Sequence, residues 1–256
     1  LVAFLPVWQV LFFRSLAIVI GCLTIGRGKL LAACMTTQLK LPLVGRGVLT
    51  VVAWLCYFTA ARSLPLAQLL TLYYSAPIMT TLLAIRLLGE RVTRARWISL
   101  GIAFAGVLLA SDPLGVRLSW ATVLVLIAAA LWGYAVVLMR QIARLESSMV
   151  QMLYQNGVYL LVTGALSAAS YTTPTAWQLL LLAGVGVIGG VGQFALFEAA
   201  RMAPAAVMAT VEYSALLWAF LLGWLVFGAI PLPAVWAGAV MICAAGVYLV
   251  VAERRR

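Results

Sequence analysis

The chain is 256 residues long, 66% hydrophobic and only 9% charged, with a mean hydropathy of +1.13; soluble domains carry about 25% charged residues, so a soluble enzyme is excluded. Its net charge is +11 with no histidine, which removes histidine-based catalysis, metal ligation and proton relays. The basic residues gather at segment ends, which argues for a membrane protein and against a nucleic-acid partner.

In chain order, hydropathy predicts apolar spans at residues 7–25, 47–61, 66–88, 97–110, 118–139, 149–169, 177–199, 205–227 and 234–251. At about 15–24 residues each, these nine segments can cross roughly 30 Å of hydrocarbon at about 1.5 Å per residue. Helix-ending signals separate them: Pro42, Pro65, Asp112-Pro113, Pro174, Pro204 and Pro231-Leu232-Pro233. With the C-terminal Glu253-Arg254-Arg255-Arg256 placed inside, alternation puts fourteen of the 17 Lys and Arg residues inside. Only Arg14, Arg62 and Arg117 fall near the outer face. Trp8, Trp120, Trp177 and Trp236 then mark the outer interface and Trp97 the inner one. Cys22, Cys34, Cys56 and Cys243 show neither zinc nor disulfide spacing, so no metal and no cofactor is expected.

The chain repeats itself. Ala60-Ala61-Arg62-Ser63-Leu64-Pro65, Thr71, Tyr74-Ser75-Ala76, Gly89 and Trp97 return 139 residues later as Ala199-Ala200-Arg201-Met202-Ala203-Pro204, Thr210, Tyr213-Ser214-Ala215, Gly228 and Trp236. One ungapped register covers roughly forty residues, and such a repeat sets the architecture. Each copy holds an odd number of spans, so the second must point the opposite way, as in inverted-repeat transporters. The expected domains are residues 1–112 and 113–256. In this register Leu1 falls opposite Arg140, so the 118–139 helix has no counterpart. The fold class expected is therefore an all-α integral membrane protein of two inverted five-helix repeats, a ten-helix plan lacking its first helix, with nine spans.

Pro77, Gly89-Glu90, Trp97, Gly101 and Gly106-Val107 in the first copy, with Gly228, Trp236 and Gly246-Val247 in the second, resemble the EamA family of the drug/metabolite transporter superfamily. The second copy departs from the pattern with Leu216 for the proline and Ala229 for the glutamate. Phe12-Phe13-Arg14 resembles the family's arginine in its second helix. The resemblance implies cytoplasmic termini and a substrate cavity lined by the first, third and fourth helices of each half, the remaining helices facing lipid. The chain is expected to be a multi-pass protein of a bacterial-type inner membrane, with the bilayer and a small organic molecule as partners and protons as a further candidate.

Glu212 is the sharpest candidate. It lies about 12 Å into the helix that starts after Pro204, and an ionisable group at that depth marks a substrate or ion path. It suits a proton carrier or a counter-ion to a substrate amine. The plain alternative is a protonated acid bonded to a neighbouring helix. Tyr73, Tyr74, Tyr213, Trp132, Tyr134 and Gln193 (with Tyr57) are polar-edged side chains on the implied cavity helices, suited to an amphipathic ligand or to packing alone. Arg14 can bind a carboxylate, although its helix is implied to be peripheral. Tyr154, Gln155 and Asn156 are set aside for the same reason. Glu198 and Arg201 stand three apart on one helix face, as a structural pair does. Gly184 to Gly192 is no nucleotide loop, since no strand precedes it; Gly186 and Gly190 form a small-xxx-small packing face.

The reading is a secondary transporter that exports an amino acid, metabolite or drug-like amphiphile by alternating access, with proton coupling as one option and no Walker motif for ATP. Its rivals are a scramblase-like structural protein and an intramembrane enzyme. The enzyme would need a nucleophile–base or metal set that isolated acids and an absence of histidine do not supply.

Overall fold

The computed structural model describes residues 4–111, 119–168, 170–227 and 233–254. These form α-helices with no strand among the described residues: α1 Val7–Thr36, α2 Lys40–Ala60, α3 Leu66–Tyr73, α4 Ala76–Leu88, α5 Arg94–Ser111, α6 Trp120–Ala143, α7 Ser148–Ala168, α8 Ala176–Met202, α9 Ala205–Glu212, α10 Ser214–Phe227 and α11 Pro233–Arg254. Among them, 5 continuous segments are long and apolar enough to cross a membrane.

Two differences from the predicted spans have physical causes. The expected inner loop over residues 26–46 is mostly helix. Here α1 runs to Thr36, bent at Arg27, which takes φ 47 and ψ −150 between Gly26 and Gly28. Beyond the bend, Leu30-Leu31-Ala32-Ala33 are strong helix formers, and α2 starts at Lys40, so Arg46 lies inside a helix.

The second difference is an interruption in each of the spans at 66–88 and 205–227. Pro77 has no N–H to offer the Tyr73 carbonyl. The Ile78 N–H turns to the Ser75 carbonyl at 3.0 Å, so the Tyr74 carbonyl also loses its helical donor. Tyr74 flattens to φ −70, ψ 5, and α3 ends. In the second copy Leu216 replaces the proline, and the interruption is shallower: Tyr213 keeps a helical φ −59 and ψ −23. Both half-helices nevertheless occupy the same register, since Leu66–Tyr73 shifted by the 139-residue offset is Ala205–Glu212.

The chain gathers into two compact units, one of Leu1–Val51 and Leu138–Met202, the other of Val52–Val137 and Ala203–Arg256. Each unit draws on both sequence repeats. In the first, α1 packs along α7 and α8. A Cβ on Gly186 would stand 2.4 Å from that of Ala17, and one on Gly190 3.3 Å from Ile18, so the small-residue face of α8 is where α1 comes closest. In the second unit, α5 packs along α11 and α4 against α9. Gly106 of α5 meets the Gly238 carbonyl of α11, 2.8 Å from where a Cβ would be, and the Ser99 hydroxyl donates to the Ala245 carbonyl at 2.7 Å. The pairs α1–α7 and α5–α11 are equivalents under the repeat register, so like packs on like within each unit.

Candidate functional site

In the second unit, α6 carries Trp132 next to Gly133. Gly133 lets the α6 backbone close on α4, where an added Cβ would lie 3.0 Å from the Thr80 nitrogen and hydroxyl. That approach brings the Trp132 indole to the last residue of α9, and its Nε1–H donates to Oε1 of Glu212 at 2.6 Å. No basic side chain acts on Glu212 among the described residues. The carboxyl stands where α9 ends, and the carbonyl end of a helix favours a positive partner.

Beside it, Tyr213 is wholly buried. Its ring stacks on Tyr74, with centroids 5.8 Å apart and planes at 23°. Its hydroxyl donates to the Tyr74 carbonyl at 3.1 Å, filling the vacancy that Pro77 creates. From Tyr74 the aromatic series continues edge-on to Tyr73 at 6.3 Å and Tyr57 at 5.0 Å, and then to Trp54 at 5.8 Å. A carboxylate, an indole and a row of partly buried phenols thus share one region, a chemistry suited to a flat or cationic organic group.

The remaining sequence candidates lie elsewhere. Tyr134 sits two residues from Trp132, hence on the opposite side of α6, and is 38% exposed. Gln193 is in the first unit, where its Oε1 accepts from Asn156 at 3.0 Å. Arg14 is there too, its stem 3.5 Å from the space over Gly189. Arg201 and Glu198 pair at 3.4 Å on the surface, and Glu198 also accepts from the Ser148 hydroxyl at 2.5 Å.

Three features escape a reading by span and charge. Gly89 caps α4 in the left-handed region, at φ 63, and turns the chain so that Glu90 reaches across to α9. Its carboxylate accepts the Ala205 and Ala206 N–H groups at 3.0 and 3.3 Å, satisfying donors that the Pro204 cap leaves open. Arg46 is buried beneath Phe197, with its guanidinium carbon 4.5 Å from the ring centroid. And α7, implied to be peripheral, buries Gln151, Gln155, Asn156 and Thr163. Its polar residues at 151, 155 and 159 recur at a helical spacing, and that spacing was the available signal. An apolar cavity of about 400 Å³ between α1, α7 and α8 is lined by no charged residue and offers no site chemistry.

A family model described as the EamA-like transporter family matches residues 1–112 and 119–252. A riboflavin transporter of Rhizobium johnstonii is 28% identical over 88% of this chain and 74% of that protein. The pseudopaline exporter CntI of Pseudomonas aeruginosa is 29% identical over 96% of this chain and 87% of its own. An S-adenosylmethionine uptake transporter of Rickettsia bellii is 24% identical over 75% and 66%. A solved crystal structure aligns with a TM-score of 0.78 over 96% of this chain and 88% of that one at 18% identity, a likeness of fold.

Proposed function

We propose, from the premise that the chain belongs to the EamA-like transporter family, that it exports a small organic metabolite carrying an aromatic or cationic group, driven by protons through Glu212. Membership makes it a multi-pass membrane transporter of small molecules and not an enzyme; substrate, direction and coupling are the proposal. The observation that carries it is the Glu212 carboxyl at the end of α9, held by Trp132 at 2.6 Å and unopposed by any basic group among the described residues. Interrupted helices with an ionisable group at the break recur in secondary transporters, where half-helix ends hold substrates and ions. The stacked Tyr74–Tyr213 pair and the tyrosines beside it supply the faces for a planar substrate. Export is favoured because the pseudopaline exporter aligns over 96% of this chain. We further read the halves 1–112 and 113–256 as inverted repeats in an inner membrane with the C-terminus cytoplasmic, supported by the basic residues near the inner ends.

The test is transport in proteoliposomes, with and without an imposed pH gradient, over a panel of aromatic amino acids, riboflavin and S-adenosylmethionine. A panel member should accumulate against its gradient only when protons flow the other way. Glu212→Gln keeps the size and the hydrogen bond from Trp132 but cannot cycle a proton; it should abolish uphill accumulation and preserve exchange down a gradient. Full pH-driven accumulation by Glu212→Gln would refute the coupling role.

A further inference from the structure

We infer that the first unit holds a binding site for an oxyanion, a carboxylate or a phosphate, centred on Arg46. Arg46 is six residues into α2, about 9 Å from its start, and is 3% exposed. One face of its guanidinium lies on Phe197, while its Nε and Nη2 have no hydrogen-bond partner. Arginine stays charged under all ordinary conditions, so a buried guanidinium needs a counter-anion or bears an uncompensated desolvation cost. Among the described residues none is paired with it. The unit's carboxylates are Glu146 and Glu198; Glu146 accepts from Thr37, and Glu198 is engaged by Ser148 and Arg201.

The surroundings point the same way. Tyr159 of α7 lies within electrostatic reach of both Arg46 and Arg14, and Arg14 likewise has an unpaired Nε. Unsatisfied buried polar atoms are uncommon, and each calls for a partner. Two guanidinium groups with unpaired nitrogens and a phenol between them make an oxyanion cradle, and the forked guanidinium suits a planar carboxylate or a phosphate.

The inference does not rest on transport, and its test measures none. The full chain in nanodiscs of phosphatidylcholine alone is melted with sodium benzoate or sodium phosphate, against sodium chloride at equal ionic strength. One of the two oxyanions should raise Tm saturably, by about 3–5 °C at ten times half-saturation. If a lipid phosphodiester is the occupant, phosphatidylglycerol in the disc raises Tm instead and removes the response to added anion. Arg46→Met should remove either response and leave the anion-free Tm unchanged or higher, because an unpaired buried charge has been replaced by an apolar chain of similar length. Arg46→Lys, which cannot bridge two oxygens, should raise the half-saturating concentration at least tenfold, and it decides the matter if Arg46→Met does not fold. The inference is overturned by no response to benzoate, phosphate or phosphatidylglycerol, by an equal response in Arg46→Met, by a lower anion-free Tm in that variant, or by unchanged half-saturation in Arg46→Lys.

Discussion

The bond from Tyr213 to the Tyr74 carbonyl exists because Pro77 disturbs α3–α4, and this dependence can be measured. Tyr213→Phe keeps the ring, its burial and its stack on Tyr74 at 5.8 Å, and deletes only the 3.1 Å hydroxyl contact. Side-chain hydrogen bonds between membrane helices average about 0.6 kcal/mol and reach about 1.7. An acceptor left unsatisfied in a buried site costs about 1–3. The Tyr74 carbonyl has lost its helical donor, because the Ile78 N–H bonds Ser75 at 3.0 Å, so the expected loss is in the upper part of the first range, about 1–1.5 kcal/mol. Pro77→Ala restores an N–H to residue 77 and lets the Ile78 N–H return to the Tyr74 carbonyl. In that background Tyr213→Phe should cost close to nothing, giving a coupling of about 1 kcal/mol in a double-mutant cycle. Unfolding of the detergent-solubilised protein, followed by tryptophan fluorescence, supplies all four corners. Additivity within about 0.3 kcal/mol would show that the hydroxyl does not answer to the proline, and the account of the break would fail.

Glu90→Ala removes the acceptor of two N–H groups at the start of α9 and should cost about 1–2 kcal/mol, with Glu90→Gln losing less; an unfolding midpoint within error of the native chain would argue against the cap. Gly133→Ala forces a Cβ to 3.0 Å from Thr80 and should cost about 1–3 kcal/mol. Gly157→Ala, with nothing within 4 Å of its Cβ, should be neutral or stabilising by up to about 1 kcal/mol; equal effects at the two glycines would contradict the close approach of α6 to α4.

Much of the fold was legible because hydropathy reports burial in lipid and the repeat reports itself. Helix ends were less so. Arg27 and Lys29 read as the end of a span, yet two charges do not stop a helix whose next residues are leucine and alanine. The break at Tyr74 carried a signal in Pro77, but the shallower one at Tyr213 carries none, since Leu216 stands in that place. Glu212 was visible by depth alone. Its contact with Trp132 was not, because the two are 80 residues apart and the approach of their helices depends on a glycine that reads as ordinary. Arg46 was counted among inner-face charges for a similar reason: charge bias along a sequence locates an interface, but only packing shows that a guanidinium lies under a phenylalanine ring.

The register also shows where the two copies stop being alike, and that bears on how a transporter acquires a direction. Two identical inverted repeats would give end states of equal energy, because exchanging the copies would exchange the states. Here Tyr73 answers to Glu212 and Glu90 answers to Ala229, so each copy has one carboxylate at a position where the other has none. Glu90 caps the start of α9 while Glu212 stands at its end, so both of these carboxylates sit at the ends of α9. A negative charge stabilises a helix start and disfavours its end. The cap therefore holds α9 in place, while the terminal carboxyl makes its other end dependent on a proton or a cation. A ligand shifts an equilibrium only by its differential affinity for the two states. Under the inversion and proton coupling proposed above, that differential lies on one half-helix only, and protonation of Glu212 would bias one end state over the other. A Tyr73→Glu substitution, placing the same charge at the end of α3, should reduce the bias. Comparing the ratio of outward to inward transport rates of Tyr73→Glu and the native chain in oriented proteoliposomes tests this: an unchanged ratio would place the origin of direction outside this pair of positions.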